Sequence, residues 1–214
     1  MIRAFLFDLD GTLVDTLEDI GTVMNGYLRA RGWPEHPVGA YRLMVGRGLL
    51  NLIRAAVPPA WAPRAEELYD EVFAVYEAAG VGRSRPYPHA TETLRSLQAA
   101  GVPVAVVSNK PDAIAKKVVA GLFGDVRFAL VRGGREGTPV KPDPAMALEA
   151  ARACGVDPSE CAFVGDSDVD MRTAAAAGML AVGAAWGFRG EAELRAAGAA
   201  LIAGSMADIP GLAG

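Results

Sequence analysis

Residues Ile2-Arg-Ala-Phe-Leu-Phe-Asp-Leu-Asp-Gly-Thr12 decide the fold. Apolar Phe5, Leu6 and Phe7 run into two acids, Asp8 and Asp10, and then into Gly11. A short apolar run closed by a turn residue reads as a buried strand. Gly11 can take a positive φ and turn the chain sharply away. Ligands of open α/β sheets bind beyond the carboxyl ends of strands, so both acids are expected at the mouth of a site. The two-residue spacing points their carboxylates to one side while the strand lasts. Carboxylates this close repel and call for a cation or a shared proton. Hard oxygen ligands suit Mg²⁺. The bland alternative is a strand end with solvated acids in a turn, and the rest of the chain weighs against it.

The chain has 214 residues, 51% hydrophobic and 21% charged, as expected of an ordinary globular protein with one large domain or a core plus a small one. A net charge of −4 without a basic run argues against nucleic acid as a partner. Cys154 and Cys161 form no metal-ligand pattern and are expected as reduced thiols of a cytoplasmic protein. Met1 runs almost straight into the first strand, which leaves no room for a signal peptide. No stretch is long and apolar enough to span a membrane, so no membrane partner is expected.

After Leu13 the pattern becomes helical. Leu17, Ile20, Val23, Met24, Tyr27 and Leu28 fall at helix spacing between Thr16 and Arg31, and Gly32 ends the run. Residues Val38 to Val57 and Pro63 to Ala79 read as two more helices, with Leu43, Leu49, Leu52, Ile53, Leu68, Val72, Phe73 and Tyr76 as apolar positions. Residues 15–84 are therefore expected to form an all-helical cap, inserted into an α/β core made of 1–14 and 85–214. In the core, helices and strands alternate from Ala90 onward. Strands are expected at Val102–Val107, around Arg127–Val131, at Cys161–Val164, at Leu180–Ala184 and, weakly, at Ala200–Ala203. A Gly-rich loop is expected from Arg132 to Val140. Such alternation means a doubly wound, Rossmann-like parallel sheet.

The strands end in Asp8-x-Asp10, Ser108-Asn109 and Asp166-x-Asp168-x-Asp170, with Lys141 on a connecting loop. Parallel strands bring these ends to one edge. That edge then holds acids for a metal, a hydroxyl and amide for hydrogen bonds, and a lysine for an anion. These are the parts phosphoryl transfer requires.

The set DLDGT at 8–12, SNK at 108–110, the loop lysine of VKPDP and GDSDVD at 165–170 resembles the haloacid dehalogenase superfamily, with a helical cap inserted after the first motif. The stretches at 41–56 and 85–111 and the Gly-rich loop before Lys141 look most like its phosphoglycolate phosphatases. The resemblance implies a Mg²⁺-dependent phosphatase acting on a small phosphorylated metabolite, 2-phosphoglycolate first, as a monomer or homodimer. It implies Asp8 as nucleophile and metal ligand, and Asp10 as general acid/base that also ligates through its carbonyl. Asp166 becomes the third metal ligand. Ser108, Asn109 and Lys141 bind phosphate. Gly11, Thr12 and Asp170 support the site, and Asp168 is read as a first-turn acid favoured by the helix dipole. Apart from the resemblance, Arg47 of Gly46-Arg47-Gly48 is expected either to reach over the site toward a substrate carboxylate or to lie exposed at a glycine-broken helix junction. Lys110 is expected to face solvent, with a place near the substrate as the alternative the resemblance allows. His36, His89, Trp33, Trp61 and Trp186 are read as packing or surface residues.

Three other readings remain. A pyrophosphatase, sugar-phosphate phosphatase, nucleotidase or phosphosugar mutase uses the same fold. A signalling receiver domain shares the acids and the lysine, but carries its acceptor on a middle strand and has no helical cap. A catalytically idle binding or regulatory protein can occupy the scaffold, since fold alone does not establish activity.

Overall fold

The computed structural model describes residues 1–213. Strand β1 (Ala4–Phe7) lies inside the sheet with every side chain buried. Side chains alternate across a strand, so Phe5 and Phe7 enter the core on one face while Ala4 and Leu6 enter it on the other. The parallel strands β4 (Val104–Pro111) and β6 (Cys161–Gly165) flank it, placing Val104 and Ala162 beside Phe5. With β5 (Leu130–Gly134), β7 (Leu180–Ala184) and β8 (Leu201–Ala203) they make a six-stranded parallel sheet in the order β5-β4-β1-β6-β7-β8. The winding direction reverses at β1, which makes the carboxyl ends of β1, β4 and β6 the binding edge.

Helices cover both faces. Leu94 and Leu97 of α4 (Ala90–Ala99) and Ile114 and Val118 of α5 (Asp112–Leu122) meet the Phe5 side. Met146 and Ala150 of α6 (Ala145–Cys154), Met171 of α7 (Asp168–Ala177) and Leu194 of α8 (Glu191–Ala196) meet the Leu6 side. The Rossmann-like reading is thus borne out.

Between β1 and α4 the chain makes α1 (Leu17–Ala30), α2 (Leu49–Ala56) and α3 (Tyr69–Ala79). Helix α1 buries Ile20, Val23, Met24, Tyr27 and Leu28 on one side and carries Glu18 and Asp19 in its first turn, where the helix dipole favours acids. Trp33 packs on Trp61, ring centroids 5.1 Å apart, as expected of packing residues. At the neck of this segment β2 (Val14–Asp15) pairs antiparallel with β3 (Arg85–Pro86). Two residues carry no readable periodicity, and the sequence reading missed this tie.

Three expectations need correction. The helix expected over Val38–Val57 is a 3₁₀ segment, Val38–Leu43, and then α2. Gly46 (φ 108°) and Gly48 (φ 86°) separate them in conformations a right-handed helix excludes. Leu43 is accordingly exposed rather than buried. The helix expected from Pro63 begins as 3₁₀ (Ala62–Leu68) and becomes α only at Tyr69. The strand expected around Arg127–Val131 starts at Leu130 and runs through Gly134, taking up the first part of the Gly-rich loop. There Gly133 lies so close to Asp112 that a Cβ would sit 2.4 Å from its Cα. Among the described residues no helix is long and apolar enough to cross a membrane.

Phe7 is fully buried at the centre of the sheet. Phe7→Ala is expected to cost about 3–5 kcal/mol of stability, read as a lowered urea midpoint with an unchanged slope.

Candidate active site

The first residue past β1 is Asp8. Its N–H donates to the Val164 carbonyl at 3.0 Å, which fixes the chain just as it leaves the sheet. Its carboxylate Oδ1 accepts from the Leu9 N–H at 2.7 Å and lies 2.9 Å from the Lys141 ammonium. That ammonium also donates to Asp170 Oδ1 at 2.7 Å, and the Lys141 and Asp170 side chains are both fully buried. Lys141 is anchored through its backbone. Asn109 Oδ1 accepts from its N–H at 2.9 Å, and Asn109 Nδ2 donates to its carbonyl, also at 2.9 Å. A further bond from Asn109 Nδ2 reaches the Gly46 carbonyl at 3.0 Å. The Asn109 side chain therefore clamps the lysine loop and the helical segment.

Asp170 caps α7. Its Oδ2 accepts from the Ser167 N–H at 3.0 Å and the Ser167 hydroxyl at 2.6 Å. Gly165 leaves space for this acid, since a Cβ there would lie 2.3 Å from Asp170. Asp166 accepts from the Thr12 hydroxyl (3.2 Å) and the Phe188 N–H (2.7 Å). Gly11, with φ 85°, passes directly over it, and a Cβ there would sit 2.3 Å from Asp166 Oδ2. The turn read from Gly11 is therefore present.

Carboxylate oxygens of Asp8, Asp166 and Asp170 lie within 4.8 Å of one another. Lys141 is the ammonium in contact with Asp8 and Asp170, so one cation faces three acids. Burial, with Asp170 and Asp10 adding to it, pushes Asp8 up to about 6 although Lys141 opposes the shift. Burial and the charges of Asp170 and Asp8 hold Asp166 well above the usual carboxylate range. A buried, all-oxygen cluster with excess negative charge fits a hard divalent cation such as Mg²⁺.

Asp10 stands apart from this cluster. Lys110 Nζ donates to its Oδ1 at 2.9 Å and its Oδ2 at 3.2 Å, and also to the Tyr76 hydroxyl of α3. Lys110 is thus buried, contrary to the solvent-facing expectation, because the helical segment covers the end of β4. Asp8, Asp10, Ser108, Asn109 and Lys110 line one cavity of about 30 Å³, roofed by Ile20, Val45, Leu49 and Leu52. Of the expected site residues, Gly11, Thr12, Arg47, Lys141, Asp166 and Asp170 are not among its lining. Arg47 Nη2 instead donates to Asp168 at 2.9 Å, tying the segment before α2 to the start of α7. Asp168 also pairs with Arg172, so it is more than a first-turn acid.

A profile described as haloacid dehalogenase-like hydrolase matches residues 2–178. The chain belongs to this hydrolase family. Among its relatives, the phosphoglycolate phosphatase of Xylella fastidiosa (strain Temecula1) is 36% identical over 187 residues, spanning 87% of this chain and 82% of that protein. The phosphoglycolate phosphatase of Aquifex aeolicus is 33% identical over 188 residues, spanning 87% and 86%. The crystal structure of a predicted phosphoglycolate phosphatase from Haemophilus somnus has a TM-score of 0.85 at 29% identity, spanning 100% and 98%. The expected likeness to phosphoglycolate phosphatases is therefore borne out.

In this hydrolase the sequence reading missed two contributors. Lys110 stands in the SNK stretch at 108–110, but its burial could not be read there, since its partners are 100 and 34 residues away. Gly187 carries no motif, yet a Cβ there would sit 2.2 Å from Asp166 Cβ and 2.4 Å from the Gly11 carbonyl. Gly187→Ala should displace Asp166 and lower kcat while the far-ultraviolet circular dichroism stays unchanged.

The charge cluster gives a pH signature. Asp8 binds its proton more tightly folded than unfolded, so metal-free protein loses this contribution as pH rises from about 4 to about 6. Mg²⁺ should therefore raise the melting temperature more at pH 7.5 than at pH 5, as differential scanning fluorimetry would show. An equal increment at both pH values would contradict this.

Proposed function

We propose that this chain is a Mg²⁺-dependent phosphatase that cleaves small phosphomonoesters through an aspartyl phosphate on Asp8, with 2-phosphoglycolate as its substrate. The phosphoric monoester hydrolase class follows from the relatives. The observation that carries the mechanism is the arrangement of Asp8, held by Lys141, beside Asp10 and Ser108 on one small cavity.

Asp8 and Asp166, with the Asp10 carbonyl, would hold Mg²⁺. When bound it lowers the pKa of the clustered acids and offsets charge on the phosphoryl oxygens. The Asp8 carboxylate attacks phosphorus, forming an acyl phosphate as the ester P–O bond breaks. Asp10 gives a proton to the leaving alkoxide, then takes one from the water that attacks phosphorus and releases Asp8. Lys141 compensates the charge of Asp8 before attack and that of the phosphoryl group during it. The Ser108 hydroxyl and the backbone N–H groups of the Ser108-Asn109 stretch receive phosphate oxygens.

The cavity suits a few atoms only, so residues 15–84 would act as a cap that opens to admit substrate and closes to exclude water. The neck formed by β2 and β3 is where such a motion would hinge. Arg47 serves this reading as a latch through Asp168, rather than as a substrate contact in the closed arrangement. The two free thiols, Cys154 and Cys161, accord with a cytoplasmic location.

Phosphate release across 2-phosphoglycolate, sugar phosphates, nucleotides and pyrophosphate, each with Mg²⁺ and with chelator, tests the proposal. The expected result is a lead for 2-phosphoglycolate, loss of activity with chelator, and a fall of about 10³-fold or more in kcat for Asp8→Asn. Another preferred ester would keep the mechanism and change the substrate. Wild-type activity in Asp8→Asn would remove the mechanism.

A further inference from the structure

The Lys110 ammonium faces three acceptors: both oxygens of Asp10, at 2.9 and 3.2 Å, and the hydroxyl of Tyr76. The two oxygens of one carboxylate lie too close together to take separate N–H groups, so Asp10 shares one donor and Tyr76 takes a second. The Lys110 side chain is only 2% exposed. Its nitrogen also lies 4.7 Å from the centre of the Tyr76 ring. Asp10 belongs to the loop after β1, Lys110 to β4 and Tyr76 to α3 of the helical segment. One buried contact therefore joins the sheet edge to the helices above it.

The mechanism proposed above leaves this contact unused. It needs Asp10 aimed at the leaving oxygen, yet the loop from Leu9 to Thr12 offers the carboxylate little restraint of its own. The buried ion pair with Lys110 fixes that rotamer. The hydroxyl of Tyr76 in turn fixes Lys110, and it can do so only when α3 sits over the sheet.

We propose that Lys110 and Tyr76 are positioning residues for Asp10, through which closure of the helical segment aligns the acid/base carboxylate. This rests on the phosphatase reading with Asp10 as proton donor.

The test separates proton donation from the rest of the reaction. Single-turnover release of the leaving group is measured for an alkyl phosphate, 2-phosphoglycolate, and for acetyl phosphate. The alkoxide of the first needs a proton, and the acetate of the second does not. Lys110→Met should slow alcohol release by about 100-fold, within the range general acid catalysis supplies, and acetate release by less than about 10-fold. Tyr76→Phe keeps the ring and should show the same selective loss in smaller degree, with KM little changed. It also provides the answer if Lys110→Met does not fold. Equal losses on both substrates would mean a merely structural role and overturn the proposal. So would a Lys110→Met defect seen with 2-phosphoglycolate but absent with ethyl phosphate, since Lys110 would then be reading the second anion of the substrate. If wild-type protein releases phosphate from none of these compounds, the phosphatase reading itself fails, before any variant is compared.

Discussion

The Lys141 ammonium, buried between Asp8 and Asp170, is the contact on which the rest of the site depends. Charges removed from water are costly unless paired and hydrogen-bonded. Here the pairing is supported from every side. Asn109 clamps the lysine backbone, Ser167 holds Asp170, and Leu9 donates to Asp8. Each support comes from a different strand end, so the six-stranded sheet has to be assembled before the charges can be buried together. The result is a nucleophile candidate held with its charge only partly compensated. That residual charge favours a divalent cation and, through it, a phosphoryl group.

The helical segment reaches the same edge by several independent contacts. Asn109 holds Gly46, Arg189 donates to the Leu43 and Val45 carbonyls, and Asp168 pairs with Arg47. Tyr76 adds a contact through Lys110. Most are polar and lie near the cavity rim, so they can be exchanged for water at modest cost. The apolar side chains of α1, α2 and α3 belong to the same core as the Phe5 face of the sheet, and Ile20, Leu49 and Leu52 among them roof the cavity.

Much of this was legible before any coordinates. Phe5-Leu-Phe7 running into Asp8 marked the central strand, and Gly11 marked the turn, because both signals are local. Strand β7 spans the same Leu180–Ala184 that the apolar pattern marks. The segment from Val38 to Val57 misled because its apolar spacing suits a helix, whereas two glycines at positive φ break it. Lys110 misled for another reason: a lysine near a strand end is normally solvated, and only tertiary contacts with Asp10 and Tyr76 bury it. Gly187 was silent, since the close approach it permits involves residues at the other end of the chain. Local chemistry could be read from the sequence, and long-range burial could not.

The central claim is that Asp8 takes the phosphoryl group before water does. The configuration at phosphorus tests it most directly, because it needs no accumulation of an intermediate. An isotopically chiral phosphorothioate ester is hydrolysed in labelled water, and the configuration of the released thiophosphate is determined. Transfer to Asp8 and then to water inverts phosphorus twice, so the account predicts net retention. Net inversion would mean a single direct attack by water, and would contradict it.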